Sequence, residues 1–201
     1  MLLTGCVEEV DQFQPLELTS GNINRFFEAV QSNPIPISWD ASQEKLITLP
    51  GYGRVIVPPN AFLFPDGAEV SGTVQAKVLD LYSKEDLLRN RITTASAEGI
   101  VESAGTVFIE VEQGGQQLRL KSDKLIRIQM ATARYNSQMR LFTGKAAEDG
   151  TMEWMEYSLG EAPVRSVELE DPFSGQPVPG FEFSSPELGY LKCGTYLSEE
   201  Q

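Results

Sequence analysis

Most of this chain alternates apolar and polar residues with a period of two, in short runs cut by turn residues. Ile35, Ile37 and Trp39 alternate; Lys45 to Leu49 runs into Pro50-Gly51, and Arg54 to Val57 into Pro58-Pro59-Asn60. Phe64-Pro65-Asp66-Gly67 is a turn. Val70 to Leu81 reads as a long strand with Val74, Ala76, Val78 and Asp80 on one face. Gly99 to Glu112 reads as another, followed by a hairpin at Gln113-Gly114-Gly115-Gln116 and a return over Gln117 to Lys121. Leu125 to Met130, Met139 to Phe142 and Met152 to Tyr157 follow. Val164 to Leu169 reads as an edge strand, Pro172 to Pro179 as a loop, and Gly180 to Phe183 and Gly189 to Leu197 as closing strands. The period changes in two places. Phe26, Phe27 and Val30 share one face of a helix expected over Gly21 to Gln31, with Asn22 or Asn24 as its cap and Asn33-Pro34 as its stop. Ser83 to Asn90 reads as a short cross-over helix, with Ser83 as N-cap and Asp86 in the third helical position of a capping box. About ten or more strands and one or two short helices make a mainly β fold, an antiparallel β-sandwich.

Organisation follows from the same pattern. Residues 1–20 lack periodicity and read as an acidic tether, residues 21–34 as a helical lead-in, and residues 35–201 as the sandwich domain. The Pro- and acid-rich stretch from Gly160 suggests a C-terminal extension, 160–201, packed on the sandwich. The chain has 201 residues, enough for one domain with a sizeable core.

Charge and composition then narrow the partners. A net charge of −13 opposes nucleic acid and a face lying flat on anionic lipid. No apolar run reaches membrane-spanning length. There is no histidine, which excludes Ser-His-Asp and Cys-His hydrolases, histidine zinc sites and haem-histidine ligation. No cofactor is expected, because Gly51-Tyr52-Gly53 lacks the rest of a dinucleotide fingerprint and Gly-Lys-Ser/Thr is absent.

Leu3-Thr4-Gly5-Cys6 resembles the bacterial lipoprotein lipobox, and Val7-Glu8-Glu9-Val10-Asp11-Gln12 after it suits a tether. The resemblance implies acyl chains on Cys6, two or three of which hold a protein in a membrane where one is marginal. Only Met1 to Gly5 precede the cysteine, so an apolar segment of roughly 7–15 residues is expected upstream. With Cys6 lipidated, Cys193 is left as a buried structural thiol within Gly189-Tyr190-Leu191-Lys192-Cys193.

A second resemblance rests on a longer string. Gly53-Arg54-Val55-Ile56-Val57-Pro58-Pro59-Asn60-Ala61-Phe62 is followed by Asp66-Gly67, Val70 to Val74, Leu81 to Asp86, Thr93-Thr94-Ala95-Ser96 and Val101 to Gly105. Met139 to Gly144, Trp154 and Leu188 to Cys193 complete it. The order and spacing resemble a group of envelope lipoproteins of Bacteroidetes-type bacteria, whose β-sandwich is similar to the ZU5 domain. This resemblance covers residues 35–195 and implies a non-enzymatic module of the cell envelope. The expected module is lipid-anchored to the outer membrane, facing the periplasm or the surface, with a protein or glycan as its expected partner. Some ZU5 domains cleave themselves at His-Phe-Ser; here Glu182 precedes Phe183-Ser184, and no base activates Ser184.

Candidate chemistry is sparse. Glu168, Glu170 and Asp171 offer oxygens to calcium, but without EF-hand spacing they read as a solvated acidic loop. The calcium reading makes a stiffened adhesin. Glu148-Asp149 reads as a turn. A carboxylate-based glycan hydrolase needs no histidine and predicts two carboxyl groups in an aromatic-lined cleft. Trp39, Tyr52, Phe62 and Phe64 are the aromatics offered for sugar, with core packing as their ordinary use.

Overall fold

The structure, a computed structural model, describes residues 20–132, 135–146, 152–157, 164–171 and 174–197, with only the backbone course of 20 and 22–24. The elements run α1 (Ser20–Val30), β1 (Ile35–Asp40), β2 (Lys45–Thr48), β3 (Arg54–Val57), β4 (Phe62–Leu63) and β5 (Thr73–Leu81). Then come α2 (Lys84–Arg89), β6 (Ala95–Ser96), β7 (Gly99–Gln113), β8 (Gln116–Gln117), β9 (Arg119–Leu120) and β10 (Ile126–Ala131). The chain closes with β11 (Arg140–Ala146), β12 (Met152–Glu156), β13 (Arg165–Glu170), β14 (Pro177–Ser185) and β15 (Gly189–Tyr196). The fold is mainly β and sandwich-like, as the alternation requires. Cys6 and Glu148-Asp149 lie outside the described residues.

Apart from the two-stranded pair β4-β9, one sheet has the order β1-β5-β7-β15-β11-β12-β6, with β8 paired to β7, and the other is β13-β14-β10-β3-β2. Their facing sides make the main core. Val74, Ala76 and Val78 of β5, Val107, Ile109 and Val111 of β7, and Leu191 and Cys193 of β15 come from the first sheet. Val55 and Val57 of β3, Ile128 and Met130 of β10, and Phe181 and Phe183 of β14 come from the second. Burial alternates along β5 from Thr73 to Val78, as a strand with one face on a core must, and then Leu79 is buried as well.

The first sheet does not stay open. β6 pairs β7 at Ala95–Ile100 and Ser96–Gly99, and also meets β12 through Ser96 and Trp154, in parallel. Strands β7, β15, β11, β12 and β6 therefore close into a ring at one end. A bulge helps the curl. Cys193 faces Gly105 but Gly194 faces Ser103, which leaves Ala104 as the extra residue. Only glycine fits at 194, where a Cβ would overlap the carbonyl oxygen of Glu102.

Three expectations change. α1 begins at Ser20, so Asn22 and Asn24 lie inside it and neither caps it. The described part of 160–201 is no extension packed on the sandwich: β14 sits between β13 and β10, and β15 between β7 and β11. Proline-rich composition suggested a boundary, yet pairing partners distant in sequence decide where a strand goes. Pro177 and Pro179 belong to β14 rather than to a loop. Pro179 accepts from the Thr132 amide through its carbonyl, so its ring nitrogen faces the side where β10 has ended and no donor is needed.

Candidate functional site

The outward face of the first sheet carries a second core inside the ring. Leu79 and Leu81 of β5, Val101 of β7, Phe142 of β11, and Met152 and Trp154 of β12 are buried there, with Leu87 of α2 and Ile92 above them. Phe108, Tyr190 and Tyr196 pack against this cluster. In its midst is Lys192, with no exposed surface. Its Nζ donates to the Thr93 carbonyl at 2.9 Å and sits 3.8 Å from the centroid of the Trp154 ring. The same carbonyl accepts from Trp154 Nε1 at 2.7 Å, and Thr93 Oγ1 donates to the Met152 carbonyl at 2.5 Å. Among the described residues no carboxylate pairs with Lys192. Burial pushes its pKa down to about 7.

Above Thr93 the chain forms an apolar groove of about 700 Å³. Its walls include Phe27 of α1, Leu87 and Leu88 of α2, and Ile92, Ala95 and Ile100. Leu88 is 70% and Ile100 55% exposed, large apolar surface left to water at one place. The two charged groups among the described walls, Lys84 and Arg91, are cations. Local sequence builds this site. Ser83 and Asp86 make the capping box, so α2 starts with Lys84 and turns Leu87 inward while Leu88 faces out. Asn90 closes the helix through Asp86 and Leu88 carbonyls, and Arg91 takes φ +56°. The Asn90 side-chain amide also holds Ser32 beyond α1: Nδ2 donates to Ser32 Oγ at 3.1 Å, and Oδ1 accepts from Ser32 N at 3.3 Å. That contact fixes α1 beside α2, with the Arg91 guanidinium 5.1 Å from the Phe27 ring centroid.

The residues singled out from sequence fall elsewhere. Glu168 and Glu170 are exposed on edge strand β13, and Asp171 spends its carboxylate on Ser174, accepting from Oγ at 2.8 Å. Among the described residues no group of three or more acidic or cysteine side chains converges as a metal site. Trp39 and Phe62 are buried edge-to-face in the main core with centroids 6.0 Å apart, and Phe64 packs against it; Tyr52 reaches the surface. Cys193 is free and buried, and burial raises its thiol far above the usual range. Glu182 is buried under Arg165 and Gln129, which donate to its carboxylate, and Phe183-Ser184 lies within β14. Asp80, lifted by burial, accepts from the Gly51 amide at 2.7 Å and so latches the 50–53 turn.

Sequence reasoning passed over Lys192 and the groove. The available signals were Leu79, Leu81, Phe108 and Tyr190, apolar residues in the outward register of their strands, and Lys84, Leu87, Leu88 and Arg91 at helical spacing. No protein-family model, curated protein or solved structure matches the chain.

Proposed function

We propose that this is a non-enzymatic binding module of the bacterial envelope, held at the outer membrane by lipid on Cys6. The groove between α1, α2 and the 92–100 segment is the observation that carries the binding half of this reading. Its size falls in the range of small-molecule sites, roughly 300–1,000 Å³, and its lining is mostly apolar with a few charged groups. The lipobox-like Leu3-Thr4-Gly5-Cys6 supports the anchor. The resemblance of the 35–195 string to ZU5-like envelope lipoproteins is what suggests the compartment. Among the described residues no helix is long and apolar enough to cross a membrane, so contact with the bilayer runs through the lipid in this reading.

The anchor is tested by expression with the natural upstream region in a lipidating bacterium, wild type beside Cys6→Ala. The reading expects a mass gain of acyl chains and partition into detergent, both lost in Cys6→Ala. An unmodified product in both would return Cys6 to the ordinary thiols.

A further inference from the structure

The groove has a definite chemical character. Exposed Leu88 and buried Leu87 of α2 line it between Lys84 and Arg91, together with buried Ile92 and exposed Ile100. Glu85 and Asp86 share this helix but are absent from the walls, and Asp86 is engaged in the cap. On a chain of net charge −13, an apolar slot whose charged walls among the described residues, Lys84 and Arg91, are cations is complementary to an apolar ligand with an acidic head.

We propose that the groove binds a free single-chain anionic amphiphile, a medium- or long-chain carboxylate. Its hydrocarbon lies against Leu87, Leu88, Ile92 and Ile100, and its carboxylate sits at Lys84 and Arg91. The proposal rests on the binding-module reading and names its ligand class. Two other occupants fit less well. A peptide brings an amide and a carbonyl at every residue, and these need partners. The groove's polar backbone at Thr93 is already committed, its carbonyl accepting from both Trp154 and Lys192. An anionic bilayer surface would meet the repulsion of the whole acidic chain before two cations met a headgroup.

The test is calorimetric titration of sub-micellar decanoate into the full-length Cys6→Ala chain, which needs no detergent. Expected is saturable binding at one site, weakened about tenfold or more by Leu88→Glu and by Ile100→Glu, whose side chains are exposed enough to leave both cores intact. The double variant Lys84→Gln, Arg91→Gln weakens decanoate about tenfold but leaves decanol unchanged. No binding to the wild-type groove, or binding indifferent to Leu88→Glu, overturns the proposal. So does a wild-type dimer that Leu88→Glu converts to monomer, since a second copy would then fill the groove. A lipidated chain in neutral-lipid nanodiscs that ignores decanoate while Cys6→Ala binds it would place the protein's own acyl chain there and overturn it as well. Failure of the anchor reading shows only in the mass of residue 6 and leaves the calorimetry untouched.

Discussion

Phe181-Glu182-Phe183 and Leu191-Lys192-Cys193 have the same pattern, a charge between two core residues, and the two charges meet opposite fates. Both flanking pairs enter the main core, so both charges point outward from their sheets. On β14 no strand or helix among the described residues packs over the outward face. Among the described residues Glu182 is covered by long side chains: Arg165 Nε donates at 3.0 Å, Gln129 Nε2 at 2.6 Å, and Arg127 lies 3.7 Å away. On β15 the outward face is itself an interior, closed by β12, β6 and α2, and Lys192 meets an indole and a carbonyl instead of a counter-charge. Alternation therefore tells which way a side chain points; it does not tell whether water lies there.

The contrast can be broken most forcefully at Trp154, the largest fully buried side chain. Trp154→Ala removes the floor of the second core and is expected to cost about 3–5 kcal/mol, read as the fall in urea midpoint. Decanoate affinity should fall with it, because Thr93 and Ile92 lose their support.

Lys192→Met moves stability the other way. The folded pKa of about 7 lies below the ordinary 10.5, so the unfolded chain binds more protons between those values. The penalty of burying the charged amine is full below pH 7 and fades as pH rises towards 10.5. The variant is expected to gain on the order of 2 kcal/mol at pH 7 and to lose this contribution to the pH dependence, seen in denaturant titrations at pH 7 and 10.

At Glu182 the sign reverses. Glu182→Gln breaks charge-assisted bonds but leaves cations that are half exposed and return to water, so a loss of about 1 kcal/mol is expected by the same titration. Smallest is Ser83→Ala, which removes the cap of α2. It should cost about 1 kcal/mol or less of global stability but raise amide exchange over 84–92, loosening the groove without touching either core.

The sandwich was legible because each strand states its own period. β1, β3, β5, β10 and β12 appear where Ile35, Val55, Val74, Ile126 and Met152 set the alternation, and α2 appears where Ser83 and Asp86 cap it. The ring was not, because β6 has two residues and contributes through backbone pairing, which leaves no apolar pattern. Without the ring, Lys192 reads as a surface lysine and Leu79 and Leu81 as apolar residues on the wrong face. The groove was hidden for a related reason: Phe27, Leu88 and Ile100 are far apart in the chain, and contacts such as Asn90–Ser32 and Arg91–Phe27 bring α1 to α2.

Amide chemical-shift mapping of the full-length chain with decanoate tests the account most directly. The account predicts shifts confined to Phe27, Leu88, Arg91 to Ala95 and Ile100, with the outward face of β14 around Glu182 silent. Shifts scattered over both sheets, or centred on β14, would contradict it.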